Sequence, residues 1–196
     1  LPLLGWGLDM GFTYRDANID NDKVLEQFLG MDQARDLDEF RTVYATAKGL
    51  PWVNTLAADR SGRVWYTDAS ATPKVSDAAQ QRFVERNQTD LIAALLVANR
   101  VAMLDGSDPD DEWVDVAGAR SPGLEPPDAL PQLERTDYVL NANDSHWIAN
   151  PAAPLVGYSP LGGPERSPQS LRTRQNHVAA QALVAGGDVT TADLID

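Results

Sequence analysis

Between Val53 and Thr67 the sequence reads VNTLAADRSGRVWYT, two short runs rich in β-branched and aromatic residues separated by Asp59-Arg60-Ser61-Gly62. Gly62 can take the left-handed backbone that such a connection needs, so Val53–Ala58 and Arg63–Thr67 are predicted to pair as an antiparallel hairpin. No other feature restricts the fold as much, because the segments on either side are helical in period. Upstream, Asp20–Met31 carries Val24, Leu25 and Phe28 on one face. Asp36-Leu37-Asp38-Glu39 then opens like a capping box ahead of a second stripe, Leu37, Phe40 and Tyr44, which Gly49 should end. Downstream, Ser76 and Thr89 are predicted N-caps of two more helices, the second with Leu91, Ile92, Leu95 and Leu96 as its apolar stripe. Helices and a hairpin without a strand-helix-strand rhythm give the α+β class.

From Asp105 to Glu134 the chain is rich in Pro, Gly and Asp, which predicts a long loop with one short strand near Trp113. Tyr138–Ala142 reads as a strand, Pro151–Pro164 as a connection and Ser167-Pro168 as the start of a further helix. The final VTTADLID begins like a helix, with Thr190 as N-cap and Asp193 three residues on, yet holds about one turn, too short to stand alone. With the Leu/Gly/Trp opening, this leads us to expect a single truncated domain over residues 1–196, an interior portion of a longer chain.

Composition excludes several classes of function. A net charge of −13 leaves no basic stripe for nucleic acid. No apolar run approaches the roughly 20 residues of a membrane span, and Leu1–Gly7 lacks the basic start of a signal peptide. Without cysteine there are no disulfides, thiolate metal sites or cysteine nucleophiles, and two histidines argue against a histidine-rich metal centre.

The polar clusters admit plain readings. Asp144, Ser145 and His146 are the residue types of a serine-hydrolase triad, but consecutive residues on an extended chain point to opposite faces and cannot converge. DGSDPDDE, Asp105–Glu112, lacks the spaced ligands and central glycine of an EF-hand, which favours a solvated, capped turn over a calcium loop. Trp6, Trp52, Trp65, Trp113 and Trp147 suit either a core or an apolar ligand pocket. YVLNANDSHW, Tyr138–Trp147, crowds amides and hydroxyls behind a short apolar run, which fits either a turn or a rigidly held amide that stabilises charge.

Read together and in order, FTYRDANIDN (12–21), GLPWVNTLAAD (49–59), GRVWYTDASATP (62–73), LDGSDPDDEW (104–113) and the block from Asp137 to Arg174 resemble the penicillin acylase family. Within it they are most similar to the branch that contains aculeacin A acylase and the acyl-homoserine-lactone acylases. The resemblance implies an N-terminal nucleophile hydrolase, built as a four-layer αββα sandwich and matured by self-cleavage. It implies an amide hydrolase in which an N-terminal serine forms an acyl-enzyme with N-acylated substrates such as lipopeptides, acyl-homoserine lactones or β-lactams. By the same resemblance Asn143, the second asparagine of Asn141-Ala142-Asn143, is the oxyanion donor, with Asn141 and Asp144 bracing the turn. Arg166 in GGPER matches the arginine that follows it, with Arg172 and Arg174 as nearby competitors. Phe28 and the Pro51-Trp52 pair fall where the family lines its acyl pocket, although both also suit a core face.

Two departures from the pattern stand out. Asn150–Pro154, where the family places one calcium carboxylate, holds none, so no cofactor is expected and calcium is doubtful. The serine nucleophile is also missing: Gly106-Ser107, the sole Gly-Ser pair, lacks the sequence that should follow it. The nucleophile is therefore expected outside this chain, the 196 residues alone are expected to be inactive, and the implied partners are the acylase α subunit and the rest of the β subunit. Family resemblance further implies a secreted or periplasmic location. The alternative is a non-catalytic binding or scaffold protein that retains the fold.

Overall fold

The computed structural model describes residues 7, 11–99, 101–187, 189–190 and 192–194. The predicted hairpin is present as β1 (Asn54–Ala58) and β2 (Val64–Asp68), antiparallel, with Gly62 at φ 86° in the turn. A third strand, β3 (Gln132–Arg135), adds antiparallel to the other edge of β2, so β2 is central. β3 lies inside the segment predicted as loop, because QLER carries little intrinsic strand preference and forms only where β2 offers it an edge.

Successive residues of β2 face opposite sides of the sheet and both sides are covered. Trp65, 1% exposed, turns toward α2 (Leu37–Ala47) and packs with Leu37, Tyr44, Leu50 and Ala69, the Tyr44 ring edge-on at 5.2 Å. Tyr66, fully buried, turns the other way onto Ala149 and Leu155. Each ring removes about 150–250 Å² from water, roughly 4–6 kcal/mol as an upper bound. This pair clamps the helical layer to one face of the sheet and the 138–158 loop to the other, and that loop carries the polar cluster.

Helix α1 is Val24–Gln33, shorter at its start than predicted, because the Asp16 carboxylate accepts from Asn18 N and Asn21 Oδ1 from Lys23 N, which hold residues 17–20 in turns. Its inward face is also not the predicted one. Gln27 is fully buried and its Oε1 accepts from Gly49 N at 2.9 Å, while Leu25, Phe28 and Leu29 face out. The reason is the neighbour: α1 meets the backbone of the α2–β1 connection so closely that a Cβ on Gly49 would lie 2.3 Å from Lys23 O, and that backbone needs a hydrogen-bond partner.

Asp36 caps α2 by accepting from Glu39 N, while Glu39 reaches back to Arg35 N. The helix stops at Lys48 in the left-handed region, one residue before Gly49. Ser76 caps α3 (Asp77–Thr89) as predicted. The cap of α4 (Leu91–Ala98) is Asp90 rather than Thr89, whose hydroxyl bonds back to Glu85 O. Ala93 is the buried residue of α4, and Leu91, Ile92 and Leu95 are exposed.

Near Trp113 there is no strand; Val114 N bonds Lys74 O and an isolated bridge joins Pro73 to Leu124. Tyr138–Ala142 is not a strand, because its backbone pairs inside its own loop: Leu140 N donates to Ala149 O and Tyr138 O accepts from Asn150 Nδ2. Helix α5 (Leu171–Gly186) starts three residues after Pro168, capped by Ser170. At the C-terminal end, Thr190 and Asp193 do exchange capping hydrogen bonds. Among the described residues, no helix is long and apolar enough to cross a membrane.

Candidate active site

The turn at Asn141–Ser145 is held from three sides. From within, Asn141 Oδ1 accepts from Asn143 N at 2.8 Å and Asn141 Nδ2 donates to Asp144 O at 3.1 Å. This Asx arrangement carries Asn143 to φ 68°, a conformation asparagine tolerates better than other side chains with a Cβ. From below, the buried Tyr66 hydroxyl lies 3.4 Å from Asn141 Nδ2 and donates to Asn54 Oδ1 at 2.6 Å. From the side comes α5: Asp144 Oδ2 accepts from Ser170 N at 2.8 Å, and His177, on the same helix, reaches Ile148 O at 3.1 Å. Burial pushes the Asp144 carboxyl up, but hydrogen bonds from Thr173 and Ser170 overcome this and hold it below its usual range.

Arg172, in the first turn of α5, completes the arrangement. Its Nη2 donates to Ala142 O and, at 2.9 Å, to Asn143 Oδ1. A guanidinium only donates, so it fixes which end of the Asn143 amide faces it. The oxygen is occupied, the NH₂ end is turned away, and no described residue accepts from it. Asn143 itself is exposed. A pre-oriented, uncommitted amide donor at the surface of a rigid turn is what a developing oxyanion requires.

Arg166 is exposed at φ 53°, so two of the three non-glycine residues at positive φ among the described residues are Asn143 and Arg166. Arg166 makes no hydrogen bond to Asn143; that contact belongs to Arg172. Arg174 donates its backbone N–H to Ser170 O within α5. The signal for Arg172 was present in the sequence but depends on the cap: with the helix begun at Ser170 instead of Ser167, Arg172 falls in the first turn, beside Asp144. Tyr66 and Asn54 carried no polar signature, since both lie in strands.

The triad types do not converge. Ser145 Oγ donates to Pro164 O, Asp144 accepts from the backbone N of Ser170, and His146, 1% exposed, packs edge-on to Tyr158 at 5.5 Å. The cavity beside His146, bordered by Asp68, Thr72 and Glu125, is about 10 Å³, room for one water, and a second beside Tyr44 and Arg120 is about 30 Å³. Neither admits an acyl chain. Phe28 and Trp52 remain 43% and 71% exposed, so they are not core residues and each presents an apolar face outward. Of the other tryptophans, Trp65 is core, Trp113 lies under the Arg15 guanidinium at 3.9 Å, and Trp6 is outside the described residues.

The described residues supply no ready set of metal ligands. Asn150 offers no carboxylate, and its amide is used within the loop, Nδ2 donating to Tyr138 O and Oδ1 accepting from Ala152 N. In the acidic turn Asp111 Oδ1 accepts from Arg82, Asp111 Oδ2 from Asp105 N, and Arg86 approaches Asp105 at 3.7 Å. Among the described residues no group of three or more His, Cys, Asp or Glu is placed to hold a metal ion.

Comparison with known proteins gives a consistent result. The sequence model of the penicillin amidase family matches residues 4–196. The chain is 38% identical over 192 residues to the acyl-homoserine lactone acylase PvdQ of Pseudomonas syringae, covering 97% of this chain and 23% of that protein. It is 37% identical over 171 residues to PvdQ of Pseudomonas putida, covering 87% and 21%. Against the aculeacin-A acylase of Actinoplanes utahensis it is 38% identical over 183 residues, covering 93% and 23%. The chain thus spans about a quarter of the length of these relatives.

Proposed function

Because this chain belongs to the penicillin amidase family, we propose that its Asn143 turn is the oxyanion-stabilising half of an acylase active site. The other half is an N-terminal serine outside these residues. Its hydroxyl attacks the amide carbonyl of an N-acylated substrate, and its own α-amine, with an ordinary pKa of about 7.7–8.0, takes the proton. As the C–O bond forms, charge collects on the carbonyl oxygen, and Asn143 Nδ2 donates to it. Collapse breaks the C–N bond, the amine leaves with a proton, and water hydrolyses the acyl-enzyme ester to a free acid.

The observation that carries this reading is the divided amide of Asn143: Oδ1 held by Arg172 at 2.9 Å and Nδ2 left free. In this reading Arg172 is the arginine that orients the donor, in place of Arg166. The three-stranded sheet with its helical layer is part of a four-layer αββα sandwich, and the exposed Phe28 and Trp52 contribute to an acyl pocket completed by the remaining α and β subunit chain. The names of the relatives, an acyl-homoserine lactone acylase and an aculeacin-A acylase, favour substrates that carry an acyl chain. A secreted or periplasmic location fits such substrates.

The test is Asn143→Ala in the mature full-length protein. An oxyanion bond is stronger in the transition state than in the ground state, so kcat should fall about 10²–10³-fold, roughly 3–4 kcal/mol, with little change in KM. The readout is fatty acid released from an acyl-homoserine lactone. A near-normal kcat would remove Asn143 from the chemistry.

A further inference from the structure

An amide side chain has nearly the same shape in both of its orientations, so something must decide that Asn141 presents oxygen to Asn143 and NH₂ to the protein. Asp144 O, a pure acceptor 3.1 Å from Asn141 Nδ2, is one such determinant. The Tyr66 hydroxyl, 3.4 Å from the same nitrogen, is a second. A hydroxyl can ordinarily donate or accept, and would then tolerate either orientation. Here it cannot, because its proton is directed into Asn54 Oδ1 at 2.6 Å, which leaves only lone pairs facing Asn141. The strand register makes this possible: Leu56 is opposite Tyr66, so Asn54, two residues along, is its diagonal neighbour on the same face.

Resting on the reading of Asn143 as oxyanion donor, we propose that Tyr66 and Asn54 are positioning residues that fix Asn143 through Asn141. The order of bonds is Asn54, Tyr66, Asn141, then the backbone N–H of Asn143, whose donation at 2.8 Å maintains the left-handed turn. Burial of Tyr66, with Asp68 nearby, pushes its phenol well above the ordinary range, so the hydroxyl stays a donor at every working pH. A flipped Asn141 amide would place NH₂ against Asn143 N–H, two donors together, and the turn carrying the oxyanion donor would lose its register.

The experiment is a double-mutant cycle in the mature full-length protein, with active enzyme counted by the acyl-enzyme burst. Tyr66→Phe keeps the buried ring and removes only the hydroxyl. Since Asp144 O still favours the working orientation, kcat should fall modestly, about 3- to 10-fold, with KM within about twofold. In an Asn143→Ala background Tyr66→Phe should cause no further fall, because the amide it positions is gone. Asn54→Ala, which frees the Tyr66 proton, should show the same coupling and serves if Tyr66→Phe does not mature. A merely structural role predicts a lower Tm with kcat per active enzyme unchanged, or equal losses in both backgrounds, and either result overturns the proposal. The two failures separate cleanly. If Asn143→Ala alone keeps its kcat, the oxyanion reading falls and this inference with it; if Asn143→Ala is crippled and neither partner couples to it, only this inference falls.

Discussion

Two polar turns of this chain invite comparison, Asp105–Glu112 and Asn141–Ser145. The first has by far the greater charge and resembles a cation site more closely in sequence, yet its polar groups are met internally. Asp111 takes Arg82 and Asp105 N, Asp105 takes the Ser107 hydroxyl and backbone, and Asp108 caps the Pro109–Asp111 turn. The second is nearly neutral, but it holds a residue in the left-handed region and leaves an oriented NH₂ group without a partner among the described residues. Density of polar groups therefore does not distinguish a site from a structural turn. What distinguishes them is whether the hydrogen-bonding capacity closes on itself.

Arg172 is the sharpest place to break that contrast. If its role is to hold Asn143 Oδ1 so that Nδ2 faces outward, Arg172→Ala removes a charge-assisted bond and lets the amide rotate. We expect kcat to fall roughly 10- to 100-fold with a smaller change in KM. Arg172→Lys should recover only part of this, because an ammonium on a flexible stem does not reproduce the planar donor set that bonds Ala142 O and Asn143 Oδ1 together. Steady-state kinetics on both variants decide the matter; a fall confined to Arg166→Ala would move the role back to that residue.

The acidic turn should behave in the opposite way. Asp111 is buried and accepts from Arg82, whose own side chain is one-third exposed, so solvent screens part of the interaction. Asp111→Ala leaves the Asp105 N–H without its partner and the guanidinium with Asp108 alone, at 3.5 Å, a loss of about 2 kcal/mol of stability after that discount. Chemical denaturation should show it as a lower midpoint, while kcat per active enzyme stays within about twofold. A variant with unchanged stability and lower kcat would mean that the turn is functional after all.

How far each turn was legible in the sequence follows from the same contrast. Local rules located the hairpin at Gly62, the Asp36 and Ser76 caps and the capped backbone of the acidic turn, because their determinants lie within a few residues of one another; the pairing of that turn with Arg82 does not follow from such rules. The inward face of α1 was not legible, since Gln27 answers to Gly49 across the α1–α2 pair and not to helical period. Strand β3 was missed for the same reason, its pairing being supplied by β2 from 64 to 67. At the site, Asn143 could be reached by resemblance, but Arg172, Tyr66 and Asn54 come from three other segments. No spacing rule connects residues that meet only after the sheet and α5 have packed.

The smallest expected effect is one of pH, and it separates the turns without a substitution at either. His146, three residues along the chain from Asn143, is buried against Tyr158 with neither ring nitrogen hydrogen-bonded, Nε2 being 3.8 Å from Glu165 Oε1. Burial lowers its pKa from the ordinary value near 6.5, outweighing the opposite pull of the Asp68 and Glu165 carboxylates. The folded loop therefore binds a proton less readily than the unfolded chain. Its contribution is complete above about pH 6.5 and drains away as pH falls below that, where the unfolded chain protonates first. In the acidic turn, hydrogen bonds from the Ser107 hydroxyl and backbone hold the Asp105 carboxyl below its usual range. That contribution is complete above about pH 4 and is lost only as pH falls through the lowered value. Between about pH 7.5 and pH 5.5, then, amide exchange corrected for intrinsic rate should quicken around Asn141–Asn150 and stay constant around Asp105–Glu112. His177, which bonds Ile148 O and whose pKa burial also lowers, acts in the same direction, so His146→Gln, which cannot take up a proton, should reduce the difference without abolishing it. Equal quickening in both turns, or a difference that the substitution leaves unchanged, would show that His146 does not couple the Asn143 turn to pH.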